Sequence, residues 1–273
     1  MTDKLVSVDW VQEHKNDPGV RLVEVDVDTE AYREGHIEGA VAWNWTSQLQ
    51  DNVRRDILTK ADFEVLMAKS GISNDTHIVL YGDNNNWFAA YALWLTELYG
   101  HEKVSLMNGG RVKWLADNRA TTTAEPSVPA ASYTAKKPNP ALRAVRDDVL
   151  QALKQPVQLV DVRSPAEYTG EVIAPPGMSE TAQRGGHIPG AKNIPWARAV
   201  NEDGTFRSVD ELETLYGTQG LKSDAPTIAY CRIGERSSHT WFVLKHILGY
   251  PDVRNYDGSW TEYGSMVGVP IER

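Results

Sequence analysis

Thr227-Ile228-Ala229-Tyr230-Cys231-Arg232-Ile233-Gly234-Glu235-Arg236-Ser237-Ser238 holds the only cysteine of a 273-residue chain. The apolar run Ile228 to Tyr230 reads as a short buried strand, and Trp241, Leu244 and Leu248 then recur at helical spacing. Cys231 therefore opens a tight strand-to-helix turn. In open α/β sheets ligands bind beyond the carboxyl ends of the strands, where the N–H groups of such a turn and of the helix after it face a bound anion.

Outward from this stretch, the chain repeats itself. Leu22-Val23-Glu24-Val25 parallels Leu159-Val160-Asp161-Val162, and Gly35-His36-Ile37-Glu38-Gly39-Ala40 parallels Gly186-His187-Ile188-Pro189-Gly190-Ala191. Tyr81 pairs with Tyr230, Gly100 with Gly249, Val104 with Val253 and Gly109 with Gly258, all at one offset of 149 residues. Each half alternates short apolar strands with amphipathic helices, which predicts α/β domains with a mostly parallel sheet flanked by helices. Strands are expected at 21–26, 40–42, 77–81 and 104–106, and again at 157–162, 192–193, 227–230 and 253–255. Helices are expected at 8–14, 60–70, 87–99 and 110–117, and again at 146–154, 208–219, 237–248 and 259–267. Residues 121–141, rich in Ala, Pro, Thr and Ser, read as a linker between a domain of residues 1–120 and one of residues 142–273.

The halves differ where chemistry is expected. The offset is 137 at the first strand and 151 at the Gly-His-Ile segment, so the second half has gained 14 residues. The gain lies near Glu171 to Gln183 and reads as an irregular surface loop of the kind that covers sites in α/β proteins. At the 149 offset, Gly82 stands in the place of Cys231, and Asp83-Asn84-Asn85-Asn86 in the place of Arg232-Ile233-Gly234-Glu235. The first half lacks the nucleophile, so a structural role is expected for it.

A helix N-terminus and nearby cations lower the pKa of a thiol. Arg232 and Arg236 flank Gly234, which lets the chain curl so that successive N–H groups converge on the sulfur, and Ser237 or Ser238 is placed to cap the next helix. His36 and His187 recur in both halves, which points to packing rather than catalysis. Asp257, where the first half has Asn108, is expected to pair with Arg232 and fix the loop.

Composition sets outer limits. The chain is 41% hydrophobic and 24% charged, and has no apolar run near the ~18 residues a membrane span needs. A net charge of −9 disfavours nucleic acid and anionic membranes as partners. One cysteine excludes an internal disulfide and a multi-cysteine zinc site, and the seven histidines show no paired ligand spacing. The N-terminal residues lack the pattern of a secretory signal, so a cytoplasmic location is expected. An internal pseudo-dimer fits a monomer.

The Cys231 loop, the doubled unit and the two Gly-His-Ile-x-Gly-Ala segments together resemble the two-domain sulfurtransferases of the rhodanese family. The resemblance implies two tandem rhodanese-like domains, the first catalytically silent. The second would carry a six-residue loop, Cys231 to Arg236, whose cysteine takes the sulfane sulfur of thiosulfate as a persulfide and passes it to cyanide or a thiol. It implies no metal or redox cofactor. Cys231 would be catalytic. Arg232, Ile233, Gly234, Glu235, Arg236 and Ser237 would surround the donor, with the arginines on its sulfonate end. Asp257 and Asp161, the latter in Asp161-Val162-Arg163, would support the loop.

Relatives acting on 3-mercaptopyruvate also resemble this chain, but their loop is of the neutral Gly-Ser-Gly-Val-Thr type, whereas two arginines here suit dianionic thiosulfate. Some members carry a substrate-binding arginine where this chain has Glu167, and Arg184 is the expected replacement. A cysteine phosphatase of the same fold would need Cys-x5-Arg, and this loop is Cys-x4-Arg. A non-enzymatic binding module is a further alternative, which the intact Cys231 opposes in the second half.

Overall fold

The computed structural model describes residues 4–175, 177 and 181–273. It forms two compact units, Met1–Asn139 with Glu202–Phe206, and Pro140–Asn201 with Arg207–Arg273. The first contains strands β1 Leu5–Val6, β2 Val20–Asp26, β3 Val41–Asn44, β4 Gln50–Asp51, β5 Asp56–Ile57, β6 His77–Tyr81 and β7 Val104–Met107. Its helices are α1 Val8–His14, α2 Glu30–Glu34, α3 Trp45–Gln48, α4 Lys60–Lys69, α5 Trp87–Leu98 and α6 Gly110–Ala116. The second contains β8 Arg143–Ala144, β9 Gln158–Asp161, β10 Lys192–Asn193, β11 Thr227–Tyr230 and β12 Val253–Tyr256. Its helices are α7 Arg146–Ala152, α8 Pro165–Thr169, α9 Val209–Thr218, α10 Glu235–Phe242 and α11 Ser259–Tyr263, and a π-helical turn over Val243–Ile247 prolongs α10.

Each unit has a five-stranded parallel sheet, in the orders β1-β7-β6-β2-β3 and β8-β12-β11-β9-β10. The two orders match strand for strand under the repeat. Central strands such as Leu22–Val25 and Ile228–Tyr230 are buried on both faces, so they read as largely apolar runs, with Glu24 the charged exception. Around them pack Val8, Val11, Ile37, Val79 and Trp114 in one unit and Val149, Leu159, Ile188, Tyr256 and Trp260 in the other.

The repeat extends to single hydrogen bonds. Ile37 N–H donates to the Tyr81 hydroxyl at 3.0 Å, and Ile188 N–H to the Tyr230 hydroxyl at 3.1 Å. The Tyr32 hydroxyl donates to Ala40 O and the Tyr168 hydroxyl to Ala191 O, both at 2.8 Å. His36 stacks on Tyr32 and His187 on Tyr168, with ring centroids 3.7 and 3.5 Å apart. Both histidines thus have the packing role that their recurrence suggested.

Most expected elements lie within a few residues of their observed ends, but the short helices α2, α3 and α8 were not expected, and other differences remain. Strands β1 and β8 have two residues each, too few to show any period. The antiparallel pair β4–β5 also went unread. Residues 121–139, read as a linker, lie along the first unit instead. Thr122 exchanges backbone bonds with His36, Ala131 N–H donates to Ala68 O, Lys136 N–H to Tyr99 O and Asn139 N–H to Leu98 O. Pro126, Pro129 and Pro138 keep this segment from forming its own elements, yet scattered N–H groups still find partners on the unit beneath.

Candidate active site

Strand β11 runs between β9 and β12 and delivers Cys231 at its carboxyl end. Gly234 caps α10 at φ 106°, in the left-handed region. A Cβ there would stand 2.9 to 3.1 Å from Cα, Cβ and O of Asp257, so only glycine fits beneath the loop. The bend brings the Gly234 N–H to the sulfur at 3.1 Å. Helix α10 therefore begins at Glu235, two residues before the expected Ser237.

All eight residues of α10 are buried, including Glu235, Arg236, Ser237, Ser238, His239 and Thr240. So polar a helix is buried only where its groups find partners. Ser237 and Ser238, expected to cap the helix or meet the donor, turn back instead. Their hydroxyls donate to Gly234 O at 3.1 and 2.7 Å, and Ser237 also reaches Asn255 Oδ1 at 2.6 Å. Asn255 completes the brace through its Nδ2, to Ser238 Oγ at 2.8 Å and Gly234 O at 3.2 Å. Asn255 was missed in the sequence, where it is one polar residue in a strand. Ile233 is buried beside them.

The cations are placed differently from expectation. Arg236 is gripped fork to fork by Glu167, with Nη1 donating to Oε2 at 2.9 Å and Nη2 to Oε1 at 3.0 Å. Glu167 is itself fixed, because it closes a capping box with Ser164 at the start of α8. Burial alone would push the Glu167 carboxyl up, but its bonds to Arg236 and Ser164 hold it below the ordinary glutamate value. The position lacking the arginine of some relatives thus carries the counter-ion of Arg236, which does not approach a donor as an unclaimed charge.

Asp257 accepts from Arg143 with both its oxygens, at 2.8 Å from Nε and 3.0 Å from Nη2. It supports the loop by packing under Gly234. Asp161 forms a fully buried pair with Arg163, Nη2 to Oδ2 at 2.6 Å. Arg232 is buried, and its carbonyl accepts from the N–H and hydroxyl of Thr261 at 3.1 and 2.9 Å. Arg184, expected as a substrate contact, spends its donors on the carbonyls of Tyr263, Gly264, Met266 and Val269. It closes the C-terminal end of α11. Of the insertion before it, residues 176 and 178–180 lie outside the described residues, so the expected cover over the site falls partly on them.

Cys231 has no exposed surface. Burial pushes its thiol up and the Glu235 carboxylate adds to this, and together they outweigh Arg236 and the N–H groups of Gly234 and Ser237. The sequence led us to expect the opposite direction. The loop does supply cation and amides, but desolvation of the sulfur is the larger effect.

The first unit has little room for a side chain at position 82. A Cβ at Gly82 would lie 2.2 Å from Val25 O and 2.7 Å from Asp26 Oδ1, so a side chain there would meet the end of β2. Burial first, and Asp83 second, raise the Asp26 carboxyl to about 9. Among the described residues no group of three or more His, Cys, Asp or Glu side chains is placed to hold a metal, and no helix is long and apolar enough to cross a membrane.

Two matched parallel α/β units make up the chain, one with a cysteine between a central strand and the helix that follows it. The family model for the rhodanese-like domain matches residues 7–117 and 145–266, and the chain belongs to the rhodanese family. A relative from Haloferax volcanii, named "Putative thiosulfate sulfurtransferase", is 59% identical over 276 residues, covering 99% of this chain and 96% of its own. One from Thermus thermophilus, named sulfur carrier protein TtuD, is 54% identical over 274 residues, covering 98% and 96%. Among solved structures, SseA from Escherichia coli, described as a 3-mercaptopyruvate sulfotransferase, superposes with a TM-score of 0.81 at 30% identity, covering 94% of this chain and 98% of its own.

Proposed function

We propose that this chain is a thiosulfate sulfurtransferase working through Cys231. The Cys231 thiolate attacks the sulfane sulfur of thiosulfate, the S–S bond of the donor breaks, and its electron pair leaves on sulfite. The persulfide then gives its outer sulfur to cyanide, forming thiocyanate, or to a thiol. The observation that carries this reading is the sulfur itself, held at a helix N-terminus with the Gly234 N–H 3.1 Å away, in the half that has cysteine where the other has Gly82. The names of the relatives from Haloferax volcanii and other organisms support the donor.

The second domain, residues 142–273, is the catalytic one, and residues 1–120 form the silent one. A lone unpaired thiol that must stay reduced suits the cytoplasm, and the internal repeat suits a monomer. A second reading, 3-mercaptopyruvate as donor, is favoured by one observation: Glu167 already neutralises Arg236, so the loop has less charge for a dianion than its two arginines suggest. A protein acceptor is a further option, given the sulfur-carrier relative. The test is to weigh the intact protein after incubation with each donor. Thiosulfate is expected to add one sulfur atom to the wild type and none to Cys231→Ser. A wild type that gains no sulfur from thiosulfate refutes the proposal, and a gain from mercaptopyruvate alone moves the donor to the second reading.

A further inference from the structure

The two units satisfy the same backbone N–H in different ways. In the first, the Gly82 N–H donates to Oδ1 of Asn86, four residues on, at 2.9 Å. In the second, the residue four places after Cys231 is Glu235, and the Cys231 N–H goes elsewhere, to Ser259 Oγ at 3.0 Å. That hydroxyl in turn donates to Tyr256 O at 2.7 Å. Ser259 sits at φ 51°, a left-handed conformation that disfavours a side chain. Its counterpart in the first unit is Gly110, at φ 53°, where no side chain is strained. The second unit thus keeps a strained, fully buried serine where the first has glycine. Strain of this kind gathers at functional sites.

What Ser259 secures is the freedom of position 235. Glu235 is turned to the sulfur, and the Cys231 S–H donates to its Oε2 at 3.3 Å. We propose that Glu235 carries the negative charge of the loop at rest and so keeps Cys231 a thiol, and that Ser259 is the positioning residue that releases Glu235 for this task. For attack, the S–H bond breaks, the electron pair stays on Sγ and the proton passes to Oε2. The pair carries one negative charge before and after, so no new charge is placed in a buried site, where it would be costly.

The other charged groups around the loop are largely matched. Arg236 faces Glu167 and, through its Nε, Oε1 of Glu235 at 3.6 Å, Asp257 faces Arg143, and Asp161 faces Arg163 at the neighbouring strand end. Arg232 is a further buried cation of the loop. His239 on α10 is kept neutral, its imidazole pushed down to about 3 by burial. Glu235 is therefore the carboxylate that competes with the sulfur for the negative charge.

This inference rests on the sulfurtransferase reading only in treating Cys231 as the nucleophile, and its test needs no sulfur donor. The rate of alkylation by iodoacetamide would be followed against pH on the full chain, whose single thiol makes the signal specific. Thiolate ultraviolet absorbance, taken against Cys231→Ser, reads the same ionisation without requiring access to the sulfur. Glu235→Gln is expected to move both profiles to lower pH, raising thiolate near neutrality by about tenfold or more, the effect of one unit of thiol ionisation. Ser259→Ala is expected to move them the same way, because Glu235 is then drawn to the Cys231 N–H as Asn86 is to Gly82. The double variant should shift no further than Glu235→Gln alone. Unchanged profiles in Glu235→Gln, or less thiolate at every pH, overturn the proposal, and a Ser259→Ala profile that keeps the wild-type position removes the positioning role. Persulfide formation from thiosulfate, weighed separately, fails or succeeds independently of these readings.

Discussion

Glu167→Ala removes the carboxylate that holds both ends of Arg236, in a pair whose side chains are 2% and 5% exposed. Arg236 then loses its fork-to-fork partner and keeps the weaker approach of Glu235 Oε1, 3.6 Å from its Nε. Breaking a buried ion pair on one side costs about 3–5 kcal/mol. That is a large share of the roughly 5–15 kcal/mol by which a folded domain is stable. The chain offers a local assay, since Cys231 is its only thiol and is fully buried in the second unit. Where opening is in fast equilibrium, labelling of Cys231 by a thiol reagent in mild urea follows the population of the opened unit. A loss of 3 kcal/mol or more raises that population by over a hundredfold, at about 1.4 kcal/mol per tenfold.

The companion variant Glu167→Met with Arg236→Met removes both charges and is expected to lie within about 1 kcal/mol of wild type. The pH dependence carries a sign. The Glu167 carboxyl is held below its ordinary value, so the stability it contributes is complete above the unfolded glutamate range, about 4.3, and is lost as pH falls through the lower folded value. Wild type and Glu167→Ala should therefore converge in acid. Labelling of Glu167→Ala within twofold of wild type at neutral pH, or a double variant as labile as the single, would refute the assignment of Glu167 as the counter-ion of Arg236.

Two further outcomes follow from the same structure. Asp26 has a raised carboxyl, so the native first unit binds a proton that the unfolded chain releases near 3.8, and stability falls as pH rises from there toward about 9. Asp26→Asn is expected to flatten this decline and to exceed wild type by more than about 1 kcal/mol near neutral pH, read by urea denaturation across pH; a variant less stable than wild type near neutrality contradicts the buried, protonated state. Arg184→Ala frees carbonyls at the end of α11 and should cost about 1–3 kcal/mol, measured by denaturation, while KM for thiosulfate stays within about twofold. A large rise in KM with unchanged stability would return Arg184 to the donor site.

The sequence by itself determined the repeat, the parallel α/β architecture, the position of the one cysteine and its replacement by Gly82 in the first half. These are readable because periodicity, strand length and a constant offset are local properties of the chain. It also placed Arg232, Gly234, Glu235 and Arg236 around Cys231, since neighbours within six residues of a tight turn cannot be far apart. The pairing of those charges was decided by tertiary structure alone. Glu167 lies 69 residues before Arg236, Arg143 lies 114 before Asp257, and Ser259 lies 28 beyond Cys231. Each partner is brought in by the end of a different strand or the start of a different helix. Burial was likewise invisible: the cations and amides that lower a thiol pKa can be counted in a motif, but the desolvation that outweighs them belongs to the packed molecule. The loop whose residues first revealed the fold thus took its charge balance from carboxylates and a serine far away in the chain.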